Sequence, residues 1–269
     1  MKRGMKKSQV TIFIIIAVVL VVIGAAFFLA QYSKSKEELS KEYFIQQGIE
    51  PSLKNIQEFS LDCLEENAKN ALELIGIQGG YYQKPTYYYD LEWAFLPYYY
   101  YNGEFLMPQQ KTIEEQISLY INENLPSCID DINFKNFKLS YALPKTTTII
   151  EQKQVTFTTD LPLSIENKGK ISVFELAEHP VSIDSSLFDI LKIASYITDS
   201  HKENPDMICI NCLAQLSKEK EVYVDFIAFE EDTTLVMIIE NKTMPEPYVF
   251  EFLNKYGETE IENNVTTDK

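Results

Sequence analysis

The pattern of apolar positions changes period along the chain, and each stretch predicts a different kind of element. Val10 to Ala30 is a run of about twenty apolar residues in which Thr11 is the only polar side chain. At about 1.5 Å rise per residue a helix of that length covers roughly 30 Å, the hydrocarbon thickness of a bilayer. Lys2, Arg3, Lys6 and Lys7 precede the run, and no acidic residue occurs before Glu37. Basic flanks stay cytoplasmic, so residues 10–32 are expected to cross the membrane once, with residues 1–9 inside and the rest outside. A cleaved secretory signal fits less well, because Phe28 stands where a small residue is needed before the cut. Residues 33–50, rich in lysine and glutamate with no breaker before Gly48, predict a helical stalk.

Beyond the stalk the period is that of a helix. Leu53, Ile56, Ser60, Cys63, Asn67, Ala71 and Ile75 form a mostly apolar stripe, with Leu64, Ala68 and Leu72 beside it. This predicts a helix over Pro51–Ile75, with proline in its first turn and Gly76, Gly79 and Gly80 ending it. A second stripe, Ile117, Tyr120, Ile121, Leu125, Cys128 and Ile132, predicts a helix over Ile113–Asp131. Between them, Tyr81 to Met107 holds nine tyrosines together with Trp93, Phe95 and Phe105. Asn102-Gly103 is a two-residue hairpin signal, and strict alternation puts Tyr98 and Tyr100 on one side of its strand and Tyr99 and Tyr101 on the other.

From Phe137 the period becomes two. Val155, Phe157, Thr159, Leu161, Leu163 and Ile165 alternate with mostly polar neighbours, and Pro162 marks an edge or a bulge. Asn167-Lys168-Gly169 is a turn, and Ile171–Glu178 the returning strand. Asp184 or Ser185 caps a helix carrying Leu187, Ile190, Leu191, Ala194 and Ile197. A short helix follows from Cys209 to Lys218, then a hairpin of Val222–Phe229 with Thr233–Glu240, and a last strand at Tyr248–Leu253. The expected fold is α+β: an N-terminal transmembrane helix, a helical tyrosine-rich region at 51–136, and an antiparallel sheet with helices on one face at 137–256. Residues 257–269 are polar enough to read as a disordered tail.

Charge narrows the choice of function. Setting aside the four N-terminal cations, the outward part keeps 20 basic and 40 acidic side chains, a net charge of −20. Such a surface repels nucleic acid and anionic headgroups. Arg3 is the only arginine, so the outward part lacks any guanidinium fork for phosphate, and no nucleotide-binding glycine motif occurs. No nucleic-acid partner is expected.

Four cysteines, Cys63, Cys128, Cys209 and Cys212, are an even number in an outward domain and read first as disulfides, for which three pairings are open. Cys63 and Cys128 each fall on the apolar face of their helix, where a bond between the helices and two buried thiols are the alternatives. Cys209-Ile210-Asn211-Cys212 opens a helix, which can lower a thiol pKa. A strand directly before that helix, as redox enzymes of the thioredoxin type need, is not predicted, so a local staple is the first expectation and thiol chemistry the second. His201 and the cysteines fall short of the four ligands of a structural zinc site. His179 and His201, the only histidines, accompany no nucleophile motif. No cofactor, metal or catalytic activity is therefore expected. The remaining candidate binding surface is Trp93 with Tyr98, Tyr99, Tyr100 and Tyr101, since tyrosine suits protein and glycan recognition. Asn241-Lys242-Thr243 and Asn264-Val265-Thr266 match the glycosylation acceptor pattern.

The run Lys6-Lys7-Ser8-Gln9-Val10-Thr11-Ile12-Phe13-Ile14-Ile15-Ile16 resembles the start of archaeal pilin-type (class III) signals. It also resembles uncharacterised single-span surface proteins of small-genome, nanoarchaeal-type archaea. The second resemblance extends to Cys63 on a helix, Gln78-Gly79-Gly80-Tyr81, Cys128, and Asn204-Pro205-Asp206 leading into the C-x-x-C. It implies a location and a fold pattern but no activity. The first implies processing between Ser8 and Gln9, although the glutamate of bacterial pilins, fifth after the cut, is replaced here by Phe13. The expectation is a membrane-anchored, extracytoplasmic surface protein with a binding or envelope-structural role, its partners the bilayer and a protein or glycan of the envelope. An extracytoplasmic thiol-disulfide oxidoreductase and a pilin-like filament subunit are the alternatives.

Overall fold

The structure, a computed structural model, describes residues 52–131, 137–203, 208–240 and 247–256, with the side chains of 202 and 203 excepted. The chain divides into two compact units, Met1–Ser52 and Leu53–Lys269. The expected span at 10–32, the stalk at 33–50, Asn241, Asn264 and the tail at 257–269 lie outside the described residues. Among the described residues no helix is long and apolar enough to cross a membrane.

The fold is α+β. Helix α1 (Leu53–Ile77) leads to β1 (Tyr88–Asp90), β2 (Phe95–Tyr101), β3 (Glu104–Phe105) and α2 (Gln110–Asp130). There follow β4 (Lys138–Ser140), β5 (Lys145–Ile150), β6 (Gln154–Asp160), β7 (Pro162–Asn167), β8 (Lys170–Glu175), a 3-10 turn (Leu176–Glu178) and β9 (Val181–Asp184). Helices α3 (Leu187–Glu203) and α4 (Ile210–Glu219) then precede β10 (Val222–Glu230), β11 (Thr233–Glu240) and β12 (Val249–Lys255).

The strands form three sheets rather than the one expected. The largest runs β1-β2-β12-β11-β10, with β3 also on β2; the others are β4-β7-β8 and β5-β6-β9. The long alternating stretch 155–165 is split at the buried Leu161, which sends β6 and β7 into different sheets. Pro162 is the first residue of β7, a place where a missing N–H does no harm. The largest sheet is not purely antiparallel, because β12 lies parallel to β2, with Leu253 opposite Tyr98. That pairing joins the tyrosine-rich region to the C-terminal hairpin.

Helix α1 buries Ile56, Cys63, Leu64, Ala68, Ala71, Leu72 and Ile75, the stripe its spacing predicts. Two polar residues on that face bond back to the helix itself. Ser60 donates to the Ile56 carbonyl at 2.8 Å and Asn67 to the Cys63 carbonyl at 2.9 Å. The end of α1 lies hard against β12. A Cβ on Gly76 would stand 2.4 Å from the Val249 carbonyl oxygen, and one on Gly79 would stand 2.5 Å from that of Glu251.

Helix α2 runs along the outer edge of β5 and replaces a missing strand. Glu114 Oε1 accepts from the Ile150 N–H at 3.0 Å, and Asn122 Oδ1 accepts from the Thr146 N–H at 2.7 Å. Between them Ser118 donates to Thr148 Oγ1, and Gln110 donates to the Ile150 carbonyl. Four helical residues rise about 6 Å, close to the roughly 6.8 Å of two strand residues. A polar stripe at i, i+4 can therefore follow a strand edge and satisfy it.

Candidate functional site

The tyrosine region is a packed layer. Asn102 and Gly103 both take positive φ, +49° and +92°, the turn that an Asn-Gly pair favours. Strand β2 carries β1 and β3 along one side and β12 along the other, so it is an interior strand. Tyr98, Tyr99 and Tyr100 are consequently buried, which corrects the expectation of a binding surface formed by Tyr98 to Tyr101. Of that set Trp93 alone is fully presented, 76% exposed at the tip of the β1–β2 hairpin. The tip is fixed by the Glu92 N–H donating to Asp90 Oδ1 at 2.9 Å and by an ion pair of Lys84 with Asp90 at 2.6 Å.

Alternation along the tyrosines also fails, for a local reason. The β12–β2 register slips between Leu253 and Asn254, opposite Tyr98 and Tyr100. Such a bulge inserts one residue and reverses the faces beyond it. Tyr98 and Tyr101 therefore meet edge-on at 5.0 Å on one side. Tyr99 and Tyr100 turn to the other. Tyr99 is 0% exposed, stacks on Phe252 at 4.2 Å and donates its hydroxyl to the Gly79 carbonyl at 2.9 Å. Burial pushes its phenol pKa well up. Tyr100 lies 5.1 Å from the ring of His201.

His201 is a core residue. Its Nε2 lies 3.4 Å from Asn254 Nδ2 and 3.3 Å from the Tyr256 hydroxyl. His179 stacks on Phe174 at 5.1 Å and lines an open groove of about 600 Å³ with Lys54, Glu58 and Glu178. Among the described residues no cluster of three His, Cys, Asp or Glu is placed to hold a metal ion.

Both cysteine pairs are disulfides. Cys63 and Cys128 join α1 to α2 with a Cα separation of 5.8 Å, and Cys209 joins Cys212 at 5.3 Å. No free thiol remains. Cys63 is buried, whereas Cys209 and Cys212 are both exposed at the start of α4.

The side of the largest sheet away from the main core is largely apolar, crossed by one row that carries Asp225 and Glu251, a feature the sequence reading missed. Near β2 it closes into a small cluster of Leu96, Tyr98 and Leu253, with Tyr89, Phe229 and Leu235 packed on it. Toward β10 it opens, with Leu235, Met237, Ile239 and Val249 half-buried and Tyr223 and Ile227 60% and 42% exposed. Burial holds the Glu251 carboxyl on this face above the ordinary carboxylate range. The signal was present as apolar residues at every position of 235–239, the pattern of a strand buried on both faces.

β10 is the free edge of this sheet among the described residues. The Glu240 N–H turns to the carbonyl of Tyr248, just before β12, so its neighbour Ile239 turns to Tyr223. The backbone groups of Val224, Phe226 and Ala228 therefore point off the edge. One of them is blocked, because the Phe226 N–H donates to Asp225 Oδ1 at 2.9 Å. Comparison with protein-family models, with curated proteins and with solved structures finds no match for this chain.

Proposed function

We propose that the chain is a single-span protein of the cell envelope, anchored through residues 10–32, whose acidic outer body binds a partner protein at the β10 edge. One observation carries the binding part: a nine-residue strand whose outer edge is unpaired among the described residues borders a largely apolar sheet face. An extended segment added there gains main-chain hydrogen bonds at Val224 and Ala228, and its alternate side chains cover Tyr223 and Ile227.

Charge selects the occupant. Glu219 and Glu221 flank one end of β10, Glu230, Glu231 and Asp232 flank the other, and Asp225 sits mid-strand. Antiparallel pairing of two copies brings these carboxylates against one another, and like charges on paired strands are destabilising. An apolar strand with basic residues at its ends is complementary, and a cation opposite Asp225 draws its carboxylate off the Phe226 N–H.

The test uses the detergent-solubilised full chain and two synthetic peptides of alternating valine and threonine, one ended with lysines and one with glutamates. The lysine peptide is expected to slow hydrogen exchange at Val224 and Ala228, and Asp225→Lys to abolish that protection. Equal binding of both peptides, or protection elsewhere than β10, refutes the docking site. Release from membranes by carbonate, or a body shielded from protease in intact cells, refutes the location.

A further inference from the structure

We propose that Cys209 and Cys212 form a thiol-disulfide exchange site whose substrate is a protein dithiol. The inference does not rest on docking at β10. It starts from the contrast between the two disulfides. Cys63–Cys128 ties two helices at the core, with Cys63 buried and Cys128 half-buried. Cys209–Cys212 closes a loop only three residues long, and both cysteines are exposed. Between them Ile210 is 61% exposed, an apolar contact beside the bond where a substrate chain can rest.

The second observation is what the first sulfur bonds to. Cys209 is the N-cap of α4, and its Sγ accepts the Cys212 N–H at 3.2 Å. Ser and Asp caps use that same N–H in ordinary helices. A thiolate is a stronger acceptor than a disulfide sulfur, and it also lies at the positive end of the helix macrodipole. Reduction therefore improves the cap. Stabilising the reduced form is what makes a C-x-x-C pair oxidising.

The exchange runs in two steps. A substrate thiolate attacks Cys209 Sγ from the open end of the helix. The Cys209–Cys212 bond breaks, and its electron pair leaves on Cys212 Sγ, which takes a proton from water. A second substrate thiolate then attacks the substrate sulfur of the mixed disulfide. A substrate disulfide forms, and the electron pair leaves on Cys209 Sγ, where the Cys212 N–H receives it. The substrate loses two electrons and two protons. The pair is restored by the reverse exchange with a more oxidising protein disulfide.

The wild-type full chain supplies the first test, with glutathione as the probe and Cys63–Cys128 as the internal standard. In graded mixtures of reduced and oxidised glutathione, alkylation and mass spectrometry are expected to show Cys209–Cys212 reduced with an equilibrium constant at least a hundredfold larger than that of Cys63–Cys128. In the Cys212→Ser variant, the pH dependence of Cys209 alkylation is expected to give a pKa more than one unit below the free-thiol value of about 8.5. Reduction of both disulfides together, or a Cys209 thiol at or above the free value, overturns the proposal and leaves the pair a helix staple.

Discussion

Replacing the cysteines in pairs should separate the two disulfides by their effect on stability. Cys63 and Cys128 lie 65 residues apart, and the closed loop holds the end of α1, β1 to β3 and most of α2. Chain-entropy reasoning gives about 4 kcal/mol at 25 °C for a crosslink of that span. The same expression gives about 2 kcal/mol for Cys209–Cys212, whose separation is three residues. Removing the buried Cys63 sulfur adds a packing loss on the first side only. In a domain of roughly 200 residues each kcal/mol moves Tm by about 2–4 °C. Cys63→Ala with Cys128→Ala is therefore expected to lower Tm by about 8–16 °C, and Cys209→Ala with Cys212→Ala by about half as much or less. Circular dichroism melts of the detergent-solubilised full chain, wild type and both double variants, measure this. Equal losses, or a larger loss at Cys209–Cys212, would refute the division into a core tie and an exchangeable pair.

Three further outcomes follow from single contacts. Glu240 Oε1 accepts the Ser186 N–H at 2.6 Å at the start of α3, so Glu240→Ala leaves a half-buried donor without this partner and is expected to cost about 1 kcal/mol in urea denaturation. Gly76→Ala drives a Cβ to 2.4 Å from the Val249 carbonyl oxygen, an overlap that backbone movement must relieve at about 1–3 kcal/mol by the same measurement. Burial raises the Glu251 pKa, so the folded state holds this proton to higher pH than the unfolded chain. Its contribution to stability falls as pH rises from the ordinary value near 4.5 through the raised folded value. Glu251→Gln is expected to flatten the stability profile in that window and to be no less stable than wild type at pH 7.

The elements set by local pattern were legible in the sequence. The stripe from Ile56 to Ile75 placed α1, the Asn-Gly pair placed the β2–β3 turn, and Cys63 and Cys128 on apolar faces allowed the core disulfide as one of two alternatives. What the sequence hid depends on distant partners. Tyr98 to Tyr100 look like a presentable surface until β12 lies against β2, and no local signal announces a strand more than a hundred residues away. The slip beside Asn254 that turns Tyr99 and Tyr100 to one face arises from that pairing as well. The task of Gln110, Glu114, Ser118 and Asn122 along β5 emerges only once the two elements are side by side. For the candidate sites, the C-x-x-C motif was visible, whereas the outer sheet face was obscured because half its residues look like core.

The parallel contact between β2 and β12 also sets an order of assembly. A chain synthesised from its N-terminus delivers the tyrosine strand early and its neighbour almost last. Until the final hairpin arrives, one flank of β2 has unsatisfied backbone groups and a row of large rings with nothing against them. Such a chain spends most of its synthesis with an adhesive strand uncovered, and termination before Val249 leaves that strand uncovered for good.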